Sequence, residues 1–415
     1  MKKLKILVSA YACSPDQGSE PGVGWNFVNG LGKNHEVSVI VEKRKWETAI
    51  ANFIKANPKK CENIKFYFIE KRRGKFLRKI WPPSYYWFYR AWQKKAYRLA
   101  LELDDRENFD LIHQLTMVGY REPGYLWRID KPFVWGPIGG LENSPWRFLP
   151  GLGFKGMVFY SARNIINSWQ KRFSIRPKMA AAHEKSILLA ASPNGAKIIN
   201  KLWRRKAEIL CEVGQYSTDL IVPQNRTNDE PLKIIWSGLH TPRKNLPLLL
   251  KALSLGDYKF ELHILGTGEM TKKWKRIAEK LGLSSNCIWY GWLDYKKAID
   301  IFSKGHVFVI TSISDLTATV TLEALSYGLP IICLDHCGFA YVVNDKCGIK
   351  ISVDRPKQAA EDINAGLSKL YNNESLRQLM AKEAIIRARD FQWDIKIERL
   401  NKIYSSLTDF SSLGK

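Results

Sequence analysis

The stretch "HVFVITSISDLTATVTLEALSYGLPIICLD" (306–335) decides the fold. It opens on a β-branched run, HVFVIT (306–311), and closes on a second, LPIICLD (329–335). Between them, residues 319–327 place apolar side chains at helical spacing. Strand, helix, strand in this order is the building unit of a parallel sheet covered by helices. Two acids stand alone inside the unit: Asp315 in the loop after the first strand and Glu323 about one turn into the helix.

The same texture extends in both directions. Upstream of the unit, LKIIWSG (232–238), KFELHILG (259–266) and CIWYG (287–291) read as strands, with helices near 245–254, 270–281 and 295–303. An earlier series holds KILVSA (5–10), EVSVIV (36–41), IKFYFI (64–69), DLIHQL (110–115) and PFVWG (132–136). Helices are expected there near 22–32, 46–56, 84–103 and 120–127. The polar stretch VPQNRTNDEP (222–231) separates the two series, and 374–408 reads as consecutive helices. The expectation is an α/β protein of two doubly wound, Rossmann-like domains, 1–222 and 223–390, facing a cleft.

Composition narrows the class. The chain has 415 residues, 45% hydrophobic and 25% charged, as in globular proteins. No apolar run reaches the roughly 18–20 residues that span a bilayer. MKKLKILVSAYAC at the start resembles a secretory signal, but its short apolar run feeds a Gly/Pro loop and reads as a first strand. A cytoplasmic location is expected. Seven cysteines lack regular spacing, and CLDHC (333–337) has no second pair to complete four metal ligands. No metal is expected. The net charge is +25, and residues 1–230 hold 39 Lys/Arg against 21 Asp/Glu. Such an excess suits an anionic partner: nucleic acid, a membrane surface or a phosphorylated substrate.

Three loops at strand ends suit phosphate. YACSPDQGSEPGVGWNF (11–27) puts Gly18, Gly22 and Gly24 before and within a helix start, where free N–H groups face an anion. Its spacing is not that of a dinucleotide site, and a purely structural turn is the other reading. WSGLHTPRKN (236–245) carries Arg243 and Lys244 just beyond Gly238 at the end of a strand. Such a pair is either a diphosphate clamp or a solvated loop. LGTGEM (265–270) repeats the design with Gly266 and Gly268. In the opening stretch, amides at the helix start, expected near Thr317–Thr319, would hold phosphate oxygens. Glu323 would repel that phosphate, but a carboxylate there can accept two hydrogen bonds from a ribose diol. Asp315 can do the same for sugar hydroxyls. Phosphate between two hydroxyl-binding carboxylates is the layout of a nucleotide-sugar site.

With these residues in view, the chain resembles GT-B fold retaining glycosyltransferases of family 4 (group 1) type over nearly its whole length. The family's E-x7-E pattern reads D-x7-E here, followed by the close match EALSYGLPIICLD (323–335). The resemblance implies that Glu323 binds the donor ribose, that Thr319 and Val320 amides bind the diphosphate, and that Asp315 faces the donor sugar. It implies the phosphate-binding lysine at Lys244. Leu239 stands where the family has arginine, and Arg243 would substitute from nearby. Gly22 and Gly24 match the first glycine-rich loop. His113 matches the first histidine of a strand-end pair whose second position is Leu115. Residues 1–222 would then be the acceptor-side domain, with Glu20, Trp25 and His113 holding the acceptor and the reacting sugar face. Residues 223–390 would bind the nucleotide sugar, and the C-terminal helices 391–415 would cross back onto the first domain.

Residues 71–98, KRRGKFLRKIWPPSYYWFYRAWQKKAYR, hold ten Lys/Arg, no acid, and eight aromatics from Trp81 to Tyr97. Tyr85, Phe88 and Trp92 share a helical face and are expected to enter the core. The rest suits an anionic membrane surface, which cations and interfacial aromatics both favour. A nucleic acid would use the same ingredients, yet no RNA- or DNA-binding motif accompanies them.

The expected function is that of a hexosyltransferase using a UDP- or GDP-sugar and no cofactor. Its acceptor would be a lipid-linked or envelope polysaccharide such as lipopolysaccharide, at the inner face of the membrane. Other classes remain: a nucleotide-sugar isomerase or hydrolase on the same fold, or a basic nucleic-acid-binding protein.

Overall fold

The computed structural model describes residues 2–72, 74, 76, 80–81, 84–216, 222–227 and 229–412. The chain divides into two compact units. The first comprises Met1–Leu141, Trp169–Gly214 and Trp393–Lys415, and the second Glu142–Ser168 and Gln215–Gln392. Residues 142–168 therefore group with the second unit, whereas the strand–helix pattern assigns them to the first.

The first unit contains a seven-stranded sheet. Its strands are β1 Lys5–Ala10, β2 Glu36–Glu42, β3 Ile64–Ile69, β4 Leu111–Thr116, β5 Phe133–Ile138, β6 Ser186–Ala190 and β7 Ala207–Ile209, ordered β3-β2-β1-β4-β5-β6-β7. Every pairing is parallel. Ile6, Leu7 and Val8 are all buried although alternate residues face opposite sides of the sheet. Burial on both faces is what the continuous apolar run of β1 requires. Helices α1 Ser19–Gly32, α2 Lys43–Ala56 and α3 Tyr85–Glu107 precede β4. After β5 in chain order come α4 Phe154–Phe173, whose residues as far as Ser168 group with the second unit, then α5 Ile175–Ala182 and α6 Pro193–Trp203. The expected helix at 120–127 is absent, apart from a single 3-10 turn at Leu126–Arg128. Pro123 cannot donate within a helix, and Gly124 takes φ +74, so the chain turns there instead.

The second unit contains the six-stranded sheet β10-β9-β8-β11-β12-β13, again wholly parallel. Its strands are β8 Leu232–Ser237, β9 Phe260–Leu265, β10 Cys287–Gly291, β11 Val307–Ile310, β12 Ile331–Leu334 and β13 Gly348–Ile351. Its helices include α7 Leu246–Leu253, α8 Thr271–Lys280, α9 Tyr295–Ser303, α10 Thr319–Ser326, α11 Phe339–Val342, α12 Pro356–Asn372 and α13 Glu374–Arg389. The unit read from 306–335 is present as β11, α10 and β12, with Phe308 registered on Ile331. Leu322, Ala324 and Leu325 bury the inner face of α10. Gly328, at φ +67, reverses the chain after it. A side chain there would be strained, so the glycine of SYGLP is the helix stop.

The last helix, α14 Trp393–Ser412, belongs to the first unit. A Cβ on Gly30 would stand 2.5 Å from the Ile397 side chain, which would have to shift to keep α1 this close to α14. Lys396 is buried and donates to the carbonyls of Cys211 and Val213.

Candidate functional site

In the second sheet the strand order reverses between β8 and β11. Loops at the carboxyl ends of strands flanking such a switch point form the usual ligand crevice of an open α/β sheet. Arg243 and Lys244 follow β8, and Asp315 follows β11. The structure joins them directly. Lys244 Nζ donates to Asp315 Oδ2 at 2.6 Å, and Arg243 Nη1 lies 3.0 Å from the same oxygen. Arg243 Nη1 also donates to the Ser314 carbonyl at 2.7 Å.

The cluster is stitched at the backbone as well. Ile313 N donates to the Arg243 carbonyl at 2.9 Å, and Thr311 Oγ1 to the Lys244 carbonyl at 2.8 Å. Trp236 Nε1 in turn donates to Thr311 Oγ1 at 3.2 Å. Lys244 is only 7% exposed, its stem lying along Gly238. Two cations share one carboxylate, so the cluster keeps an excess of positive charge to offer an anion.

The glycines beneath the cluster have a packing reason. Gly266, at φ +107, lies so close to Gly238 that a Cβ would stand 2.1 Å from its carbonyl oxygen. A Cβ on Gly268 would stand 2.6 Å from the His240 carbonyl oxygen. Backbone can therefore lie on backbone: Gly238 N donates to Leu265 O at 3.1 Å and His240 N to Thr267 O at 3.0 Å.

Helix α10 begins at Thr319 after Ala318, whose side chain offers no cap. The first-turn amides, those of Thr319 and Val320 among them, receive no side-chain cap from it and keep the positive end of the helix dipole. Four residues on, Glu323 is half-buried. Burial pushes its carboxyl up to about 7. Among the described residues no cation counters this shift, and the nearby phenols Tyr295 and Tyr327 are themselves raised, mainly by burial and then by Glu323. A desolvated carboxylate without a cation is suited to accept hydroxyl donors.

The first unit places its expected site residues differently. His113, in the middle of β4, is wholly buried. Its Nε2 lies 2.8 Å from the Gly136 carbonyl, which only accepts, so Nε2 carries the proton. Nδ1 then accepts from the Tyr404 hydroxyl at 2.6 Å. Burial depresses its pKa to about 4, so the ring is neutral. With both nitrogens engaged and no exposed surface, His113 ties β4 to β5 and α14 and is not presented to a substrate. His113→Phe should lower stability by roughly 2–4 kcal/mol, because two buried partners lose their hydrogen bonds. Chemical denaturation would check this, and turnover per folded molecule should be retained.

Trp25 is likewise a core residue, edge-on to Phe53 and stacked with Phe66. Gly22 and Gly24 lie inside α1, and Cβ atoms there would stand 2.4 Å from Gln17 O and 2.2 Å from Ala12 O. They seat the helix on the loop after β1. Glu20, in the first turn of α1, accepts from Val118 N at 2.7 Å and so holds the loop after β4. Burial raises its pKa against the effect of that amide.

Other neighbours of the cluster leave no mark in the sequence. Arg163 Nη1 donates to Ser314 Oγ at 2.9 Å, and Asp315 N lies 3.3 Å from Cys337 Sγ. Neither contact has a local sequence signal, since the partners are 151 and 22 residues apart. In 71–98 the core face carries Tyr89, Trp92, Gln93 and Ala96, one position off the expected stripe at Phe88. Lys71 is also buried, donating to the Tyr11 hydroxyl at 2.9 Å. Phe76, Ile80, Trp81 and Trp87 remain exposed, and Arg73, Lys75, Leu77–Lys79, Pro82 and Pro83 lie outside the described residues.

Residues 217–387 match the family model of glycosyl transferases group 1. An uncharacterized glycosyltransferase of Methanocaldococcus jannaschii is 24% identical over 203 residues, 49% of this chain and 52% of that protein. The lipopolysaccharide 1,6-galactosyltransferase of Escherichia coli K12 is 31% identical over 96 residues, 22% of this chain and 26% of that one. The chain thus spans about half the length of the first of these relatives and less of the second. Sucrose-phosphate synthase from Thermosynechococcus elongatus superposes with a TM-score of 0.65 at 13% identity, over 99% of this chain and 100% of that one. Anabaena HepE in complex with UDP gives 0.60 at 12% identity, over 97% and 100%. The fold is GT-B, with two parallel-sheet Rossmann-like domains.

Proposed function

We propose that the chain is a retaining glycosyltransferase of family 4 type, moving a hexosyl group from a UDP- or GDP-sugar to a lipid-linked or cell-envelope polysaccharide. The observation that carries this reading is the Lys244–Asp315–Arg243 cluster at the switch point of the second sheet. The group 1 match over the same residues, the relative named for lipopolysaccharide galactosyl transfer and the UDP complex of a structural neighbour support it.

In this reading Lys244, Arg243 and the first-turn amides of α10 bind the diphosphate, Glu323 the ribose and Asp315 the donor sugar. Gly238, Gly266 and Gly268 let the loops close around the phosphates. The bond from the anomeric carbon to the diphosphate oxygen breaks while the acceptor oxygen bonds to that carbon on the same face. The acceptor proton passes to the departing oxygen. The cations stabilise charge that develops on the leaving group, the electrostatic contribution that dominates many enzymes. Glu20 positions the loop after β4, and His113 takes no part in the chemistry.

A thermal-shift series over nucleotide sugars identifies the donor, because a ligand of the folded state raises Tm according to its affinity. Transfer to an envelope acceptor with the donor's anomeric configuration kept is the expected result. Donor turnover with no acceptor would instead identify a hydrolase. Two cations already face the leaving group, so EDTA is expected to leave the rate within about twofold, whereas a metal-dependent transferase loses most of its rate. A tenfold loss reversed by Mn2+ would overturn the metal-free reading. We place the enzyme at the cytoplasmic membrane face, with exposed residues of 71–98 such as Trp81, Trp87, Lys94 and Lys95 against anionic lipid.

A further inference from the structure

Helix α4 is inside out. Its buried residues are Tyr160, Asn164 and Asn167. Asn164 exchanges two hydrogen bonds with the backbone of Ser144, at 2.9 and 2.8 Å. Asn167 Nδ2 donates to Asn143 Oδ1 at 2.9 Å. The polar face of the helix is thus spent on the protein.

The outward face is apolar. Phe154, Val158, Ile165 and Trp169 form one stripe, 77%, 50%, 61% and 60% exposed. Phe159, Ile166 and Phe173 run beside it at seven-residue spacing, all more than half exposed. The helix has 20 residues, so this face is about 30 Å long. Scattered exposed apolar residues need no explanation, but a continuous face on one helix marks an interaction surface.

Charge selects the partner. Residues 143–183 contain seven Lys/Arg and no Asp or Glu. Lys155 in the first turn and Arg172 in the last are exposed, and neither makes an ion pair with the described residues. They bracket the apolar stripe and can extend to lipid phosphates while its rings enter the acyl boundary. An antiparallel pairing with a second copy would instead bring Lys155 against Arg172, like charge on like. Among the described residues no helix is long and apolar enough to cross a membrane, so the face lies along the surface.

We propose that the outward face of α4 is an interfacial membrane-docking surface for an anionic bilayer, distinct from 71–98 and independent of the transferase reading.

The test is flotation with vesicles of phosphatidylglycerol and phosphatidylcholine, and with phosphatidylcholine alone. Wild-type protein should float with the anionic vesicles and bind the neutral ones at least tenfold more weakly. V158E/I165E changes two exposed positions and should cut binding at least tenfold with Tm unchanged. Its thermal response to nucleotide sugars should match wild type, so failure here leaves the donor reading standing. Wild-type binding by the variant would overturn the proposal, as would absence of wild-type flotation at low salt. Binding lost on neutralising the basic residues of 71–98 but not in V158E/I165E would place the contact there instead. A wild-type dimer in sedimentation equilibrium that the variant dissociates would make the face a copy-to-copy interface.

Discussion

Glu323→Ala is expected to weaken donor binding by about 10–100-fold, the cost of losing paired hydrogen bonds to a charged acceptor. Transfer at subsaturating donor should fall by at least as much. Isothermal titration with the donor found by thermal shift gives the number directly. Wild-type affinity would end the ribose assignment.

The same residue predicts a pH signature. Its carboxyl is raised from 4.5 to about 7 in the folded chain. The folded state therefore holds a proton that the unfolded state has released between these values. Stability linked to Glu323 is fully present below about 4.5, declines as pH rises through that window, and is constant above 7. Allowing for partial exposure, the charged form costs roughly 2 kcal/mol above pH 7. Glu323→Gln should remove this cost and raise Tm relative to wild type at pH 8 but not at pH 4. Donor binding has the opposite sign. A ribose diol selects the ionised carboxylate, so wild-type affinity should fall by up to tenfold per unit as pH drops below 7. Glu323→Gln should abolish that slope. An identical pH dependence in both proteins would show that the titration belongs elsewhere.

The second large effect is at Lys244. Lys244→Met keeps a stem over Gly238 and removes the ammonium. It should lower kcat by about 10²–10³, as removal of one transition-state donor does elsewhere, with a smaller change in KM. Asp315 would keep Arg243 as its partner, so the fold should survive. Arg243→Ala should cost less, because Lys244 is the more buried cation and makes the shorter contact with Asp315. Asp315→Asn in the Lys244→Met background tests whether the pair acts as a unit. Effects on kcat that add independently would show that it does not.

Much of this site is local, and so it was legible. Strand β11, the loop, helix α10 and Gly328 follow one another within a single unit, and each is set by its own residues: β-branched run, turn, apolar helical period, left-handed glycine. Helices α4 to α6 and strands β6 and β7 were not legible. Strand β7 is three residues long with an exposed glutamate. Helix α4 defeats the amphipathic rule, because its apolar side faces out and its asparagines face in. Helical period tells a reader which residues share a face, not which face the protein covers.

By itself, then, the sequence determined two parallel α/β series and an acid pair around a helix start, because parallel strands buried on both faces write their pattern locally. Tertiary structure alone decided what those residues meet. It set Lys244 on Asp315 across 71 residues by making β8 and β11 neighbours. It withdrew His113 and Trp25 into the core. A strand places a residue on a face, but only the order of strands and the packing above them decide whether that face meets solvent, a partner or a ligand.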